Sequence, residues 1–310
     1  MLYCRGGTAT ALIVSAPLLG WTKDGDIMAR TPRVIQTIAG LRKAVSAYRK
    51  GGEKIALVPT MGALHDGHMS LVEAASKKAG RVIVSIFVNP EQFAPTEDFA
   101  TYPRTMDTDL ARLRRLKVHA VWAPDTSVMY PEGFSTRVAP GGPAYAGLED
   151  AFRPHFFGGV ATVVSKLFIQ VNPDFAFFGE KDYQQLKVIT RMSADLDLPI
   201  QIVGVATVRE PDGLALSSRN VYLSPGERRQ APMLYRVLQD CAGKIKQGQP
   251  LDRVMADGGQ FLTSEGFVLD YLEARNAETL EPVTSAKQGP LRLLVAARLG
   301  TTRLIDNIPA

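Results

Sequence analysis

Residues 54–68 read Lys54-Ile55-Ala56-Leu57-Val58-Pro59-Thr60-Met61-Gly62-Ala63-Leu64-His65-Asp66-Gly67-His68. The apolar run predicts a strand over 54–59 with both faces buried, because a half-exposed strand would alternate. Helical periodicity follows over 67–79, with Leu71, Val72, Ala75 and Ala79 on one face. Strand, short polar turn and helix make the first half of a parallel βαβ unit.

The same alternation extends in both directions. Upstream, 38–48 has helix periodicity. Downstream, strands are expected at 82–88, 118–123, 175–178 and 200–206, and helices at 105–116 and 157–170. Asn89-Pro90 stops the second strand. Asp182 is expected to cap a helix running to 196, its carboxylate accepting from unpaired amides of the first turn. Residues 124–155 are rich in Gly and Pro and read as loop. The result is an α/β doubly wound parallel sheet over 28–207. The pattern then changes. Helices at 224–246 and 251–266 precede strand-like runs at 268–273, 291–297 and 302–307, giving a smaller α+β domain over 208–310.

Of the 310 residues, 45% are hydrophobic and 22% charged, an ordinary globular balance. The formal net charge of +5 and pI near 9.2 suit anionic ligands. The densest basic runs, 112–117 and Arg228-Arg229, have no interleaved aromatics, so a single-stranded nucleic-acid platform is not expected. Cys4 and Cys241 form no zinc spacing and no disulfide framework, which fits a reducing cytoplasmic setting. The apolar stretch 9–21 is too short to span a bilayer. Residues 1–27 read as an extension outside the fold, with Met28 as an ordinary start; a targeting segment is the alternative.

Four stretches carry groups suited to chemistry. His65 and His68 stand at a strand-to-helix turn, where ligands of open parallel sheets bind. Helix N-termini attract anions, and imidazoles there can donate to phosphate oxygens. Two ligands three residues apart, with no third nearby, do not make a zinc site. Gly179-Glu180-Lys181-Asp182 ends another strand and offers a cation, with Gln185 one turn further. Leu216-Ser217-Ser218-Arg219-Asn220 supplies two hydroxyls and a guanidinium, a set that suits phosphate. Asn89 and Gln92, just past a strand end, suit the hydroxyls and carboxylate of a small organic acid. Neither GxGxxG after a strand nor GxxxxGK[ST] is found.

His65-Asp66-Gly67-His68 resembles the HxGH element of class I nucleotidyltransferases and synthetases, and Leu216–Asn220 their KMSKS-type element. The strings PTMGALHDGH, SIFVNPEQF, YPRT, FFGEKDYQQL and DGLALSSRN together resemble the pantothenate synthetase family, from about residue 33 to the C-terminus. This resemblance implies a Rossmann-like domain, a smaller C-terminal lid domain and a homodimer. It implies ATP, pantoate and β-alanine as substrates, Mg²⁺ with ATP, and a pantoyl adenylate intermediate releasing pyrophosphate and then AMP. It gives His65, His68, Lys181, Ser217, Ser218 and Arg219 to the triphosphate and the catalytic step. Met61, Gly179, Asp182, Val208 and Leu216 would border the nucleotide. Gln92, Gln185, Asn89 and Met61 would serve pantoate and β-alanine. The metal would fall to Asp107 and Asp109, where Thr108 interrupts an acidic run that is fuller in relatives. Leu216 stands where methionine is common. The alternatives are another HxGH nucleotidyltransferase, or a non-catalytic relative that binds nucleotide or RNA.

Overall fold

The computed structural model describes residues 31–95 and 97–310; the expected extension at 1–27 and Cys4 lie outside them. Six strands form one parallel sheet: β1 (Arg33–Ile35), β2 (Ile55–Thr60), β3 (Arg81–Ile86), β4 (Ala120–Trp122), β5 (Phe175–Gly179) and β6 (Gln201–Val205). Their order is β1-β4-β3-β2-β5-β6. The connecting helices are α1 (Ile38–Lys50), α2 (Asp66–Lys78), α3 (Met106–Arg115), α4 (Thr126–Met129), α5 (Glu149–Phe152), α6 (Phe156–Val171) and α7 (Tyr183–Asp195).

The pleat of β2 explains its unbroken apolar run. Ile55 and Leu57 join Leu41, Ile83, Trp122 and Phe168 in one core. Ala56 and Val58 join Val72, Val84, Val121 and Phe177 in another, on the opposite side. Successive strand residues face opposite sides, so a sheet covered on both faces needs apolar residues at every position. Chain order runs from β2 through β3 and β4 on one side, and through β5 and β6 on the other. The loops after β2 and β5 therefore diverge, opening a crevice at the carboxyl ends of the strands.

The smaller domain has an antiparallel sheet, β7 (Val268–Asn276), β8 (Leu291–Leu299) and β9 (Thr302–Pro309), in the order β7-β8-β9. Three helices precede it: α8 (Pro225–Gln230), α9 (Met233–Lys246) and α10 (Leu251–Ser264). Leu234, Leu238, Val254 and Leu262 pack with Leu293 and Val295 of β8.

Three details differ from the sequence expectation. The helix expected over 224–246 divides at Ala231-Pro232 into α8 and α9, since Pro232 has no N–H to continue the ladder. β1 has three residues, too few for a periodic signal. The stretch read as loop, 124–155, carries α4 and α5 as single turns. Among the described residues no helix is long and apolar enough to cross a membrane.

Leu57 is fully buried at the centre of the sheet. Leu57→Ala should destabilise the protein by about 2–5 kcal/mol, read as a lowered denaturation midpoint at unchanged slope.

Candidate active site

The turn from β2 to α2 bends through two residues in the left-handed region, Gly62 (φ +86°) and Ala63 (φ +50°). Glycine takes this conformation freely; a residue with a Cβ resists it by roughly 1–2 kcal/mol. The buried carboxylate of Asp109 on α3 holds the turn. Its Oδ2 accepts from the Ala63 N–H at 3.0 Å, and its Oδ1 from the Leu64 N–H at 2.9 Å. Thr105 Oγ1 donates to Oδ1 at 3.2 Å. Burial pushes the Asp109 pKa up, and the hydrogen bonds from Leu64, Thr105 and Ala63 oppose that rise.

The turn delivers His65 to the N-cap of α2 and His68 to its first turn. His65 Nδ1 accepts from the Gly67 N–H at 3.2 Å, and His68 Nδ1 accepts from the His65 N–H at 3.3 Å. The two imidazoles cap the helix reciprocally, with ring centroids 4.1 Å apart. A Cβ at position 67 would lie 2.9 Å from His65 Cε1, so only glycine leaves that ring in place.

Two consequences follow for protonation. Burial, then the Lys181 ammonium, lower the His65 pKa to about 4. Burial, then His65 and Lys181, lower that of His68 to about 3. Both rings are neutral at pH 7. With Nδ1 accepting on each, the ring proton resides on Nε2. The site thus offers two neutral N–H donors beside the amide-rich end of α2, an arrangement suited to phosphate.

Lys181 lies across the crevice, in the 3-10 turn Glu180–Asp182 between β5 and α7. Its Nζ is 3.9 Å from Asp182 Oδ2. Asp182 occupies the N-cap position of α7, but its side chain makes no capping bond, contrary to the expected cap. Its carboxylate is half-exposed in the cleft and open to a ligand. A Cβ on Gly179 would meet nothing closer than 4.0 Å, leaving the strand end open.

The third wall is the 3-10 turn Ser218–Tyr222. Ser217 Oγ caps it by accepting from the Arg219 N–H at 3.2 Å. Ser218 Oγ donates to the Ala63 carbonyl at 3.3 Å, tying this turn to the histidine turn. Arg219 pairs with Asp98 through two bonds of 3.0 and 2.8 Å. The Val208 carbonyl accepts from the Leu216 N–H at 3.0 Å, closing the base of the loop.

Beyond Met61 the cleft turns apolar against α6, with Phe157, Val160 and Val164 in its lining. Gln92 Nε2 donates to Met61 Sδ at 2.9 Å. Asn89 is almost fully buried and its amide is committed on every side. Oδ1 accepts from Tyr130 Oη at 2.7 Å and from the Glu91 N–H at 3.3 Å. Nδ2 donates to Gln92 Oε1 and to the Gly159 carbonyl, each at 3.2 Å. Asn89, expected among the substrate contacts, therefore supports Gln92 and has no free donor or acceptor of its own.

All these groups line one cleft of about 730 Å³: Met61, His65, His68, Asn89 and Gln92 from one side, Gly179, Lys181, Asp182 and Gln185 from the other, and Val208 with Leu216–Arg219 above. Asp107 and Asp109 do not line it. Asp107 is exposed on α3, and both oxygens of Asp109 are bonded to the turn, so the metal role expected of this pair does not fit its placement. Among the described residues no three His, Cys, Asp or Glu side chains converge on a metal position. Sequence reasoning missed Asp98, Tyr130, Arg292 and Asn307, which reach site residues from remote parts of the chain and carry no local signal.

Residues 33–309 match the family model described as pantoate-beta-alanine ligase. The chain is 63% identical to a pantothenate synthetase 2 of Bradyrhizobium diazoefficiens over 281 residues, 91% of this chain and 99% of that one. It is 62% identical, with the same coverage, to a pantothenate synthetase of Nitrobacter winogradskyi. The fold is similar to that of the Thermus thermophilus pantothenate synthetase, with a TM-score of 0.84 and 48% identity over 89% of this chain and 98% of that one. It is also similar to the Francisella tularensis pantoate-beta-alanine ligase solved with beta-gamma ATP and β-alanine, with a TM-score of 0.71 and 33% identity over 90% and 97%.

The depressed histidine pKa values make an acid prediction. Between pH 6.5 and about 4 the unfolded chain binds protons that the folded rings refuse, so stability falls as pH falls through that window. At pH 5, His68 alone should contribute about 2 kcal/mol of this loss. The drop in unfolding free energy from pH 7 to pH 5 should therefore be smaller in His68→Gln than in the parent, whatever the absolute stabilities.

Proposed function

The chain belongs to the pantoate–β-alanine ligase family and joins pantoate to β-alanine with ATP; on that premise we propose that it works through a bound pantoyl adenylate. The carrying observation is the convergence of two Nε2–H donors, the N-terminus of α2 and Lys181 on the crevice between β2 and β5.

In the first step a pantoate carboxylate oxygen attacks the α-phosphorus of ATP. The bond from that phosphorus to the bridging oxygen breaks and pyrophosphate leaves. In the second, the neutral amine of β-alanine attacks the activated carbonyl, AMP departs, and the amine proton is released. Most of the catalysis is positioning and charge stabilisation, as expected for transfer at phosphorus between anionic groups. His65 and His68 donate Nε2–H to phosphate oxygens and, with Nδ1 occupied, are not placed as general bases. Lys181 adds the local cation. Ser217, Ser218 and Arg219 close over the triphosphate, Arg219 exchanging Asp98 for phosphate. Met61, Gly179, Asp182, Val208 and Leu216 border the nucleotide. Gln185, with no partner among the described residues, and Gln92, steadied by Asn89, hold pantoate beside the apolar wall of α6.

Mg²⁺ enters with ATP. This hard cation takes phosphate oxygens and waters readily, but Asp107 and Asp109 do not fit it. A homodimer and a cytoplasmic setting belong to the same reading. Exposed Ile169 on α6 offers apolar surface to a second copy, and the free, buried Cys241 suits a reducing compartment. The division at 207/208 is supported by Leu214, which packs in the smaller domain, while Val203 and Val205 pack against the large sheet.

Exchange of labelled pyrophosphate into ATP, with pantoate present and β-alanine absent, isolates the first step. The parent enzyme should support it. His65→Ala and Lys181→Ala should each lower it by about 10²–10³-fold with the fold retained. Exchange at parental rates in both variants, or none in the parent, would count against the adenylate route and these roles.

A further inference from the structure

The turn that carries Lys181 is held from the other domain. Asn307, on β9, is almost completely buried. Its Nδ2 donates to the Glu180 carbonyl at 2.9 Å and to the Lys181 carbonyl at 2.8 Å. Its Oδ1 accepts from Arg292 Nε at 2.6 Å. Arg292 in turn donates to Glu180 Oε2 at 3.0 Å and lies 4.0 Å from the centre of the Tyr183 ring. Arg292 therefore fixes which way the Asn307 amide points. Turned over, its oxygen would face two carbonyl oxygens and its NH₂ a guanidinium.

The neighbouring residue serves the opposite wall. Asp306 accepts from Arg209 through two bonds of 2.5 and 2.8 Å, and Arg209 also donates to the Gly213 carbonyl at 3.1 Å. The Asn307 N–H donates to Asp306 Oδ1 at 2.7 Å, which couples the two contacts. One dipeptide of the last strand thus touches both the lysine turn and the base of the Ser217–Arg219 loop.

We propose that Asn307 is a positioning residue for Lys181: by binding both carbonyls of its turn, it sets where the ammonium stands relative to the transferring phosphate. This rests on the reading that Lys181 acts on ATP phosphates. A short 3-10 turn has few internal hydrogen bonds, so its shape depends on what holds its carbonyls. A displacement of about 1 Å in a catalytic group can lower a rate about 10²-fold.

The test is a double-mutant cycle on pantoate-dependent pyrophosphate–ATP exchange, using the full chain and the variants Asn307→Ala, Lys181→Ala and the pair. Asn307→Asp, which keeps the size and the acceptor for Arg292 but loses both donors, is the second variant should the alanine form fold poorly. Residues acting through one group are non-additive. We expect either Asn307 change to lower exchange by roughly 10–100-fold in the parent and by less than about threefold in the Lys181→Ala background. Pantoate binding, measured by calorimetry, should stay unchanged, which a general loosening of the fold would not allow. An equal loss in both backgrounds, or no loss in the parent, overturns the inference while leaving Lys181 as a phosphate ligand. Parental exchange in Lys181→Ala removes the reading of the lysine and the inference with it.

Discussion

The Asp109 carboxylate, buried and bonded to the amides of Ala63 and Leu64, is the constraint on which the site depends. The turn it holds does not follow from local preference. Ala63 sits at positive φ, and the residues after it must leave the sheet edge at an angle that starts α2 with two imidazoles facing the crevice. Hydrogen bonds to a charged acceptor contribute about 1.5–3 kcal/mol each, more than the roughly 1–2 kcal/mol resisting the left-handed alanine. Gly62 leaves room for the carboxylate: a Cβ there would stand 3.2 Å from Asp109 Oδ2.

From that turn the chemistry follows in order. His65 and His68 use Nδ1 for the backbone, so Nε2–H is what remains for the ligand. Burial and the facing Lys181 keep both rings neutral. The helix end and the lysine supply positive character, the histidines supply direction, and Gln92 and Gln185 line the same cleft. The smaller domain then lines the cleft with Leu216–Arg219 and braces it through Asn307 on the lysine turn and Asp306 on Arg209 at the base of the opposite loop.

Much of this was legible in the sequence, for a physical reason. Unbroken apolar runs such as 55–58 have one common explanation, a strand covered on both faces, and the polar residues that end them mark the sheet edge where ligands bind. The histidine and lysine stretches could therefore be assigned to one edge from strand-end position alone, whereas the serine–arginine stretch follows no sheet strand and joined them only through the family resemblance. What local pattern could not give was direction. The family resemblance gives Asp107 and Asp109 to a metal, yet one carboxylate points to solvent and the other into the turn 45 residues earlier. Asp182 has the position of a cap without making the bond. Tyr130, Asn307 and Asp98 act on the site from 41, 126 and 121 residues away, and spacing along the chain carries no trace of such contacts.

The Asp109-held turn sets the protonation state of His65 and His68 by committing Nδ1 of each ring to the backbone. Long-range proton–nitrogen correlation NMR of the imidazoles reads it directly, with His65→Gln and His68→Gln used to assign the signals. Both rings should show the proton on Nε2 and Nδ1 as an acceptor, with no titration between pH 8 and 5.5. A proton on Nδ1 of either ring, or a titration midpoint near the ordinary 6.5, would contradict it.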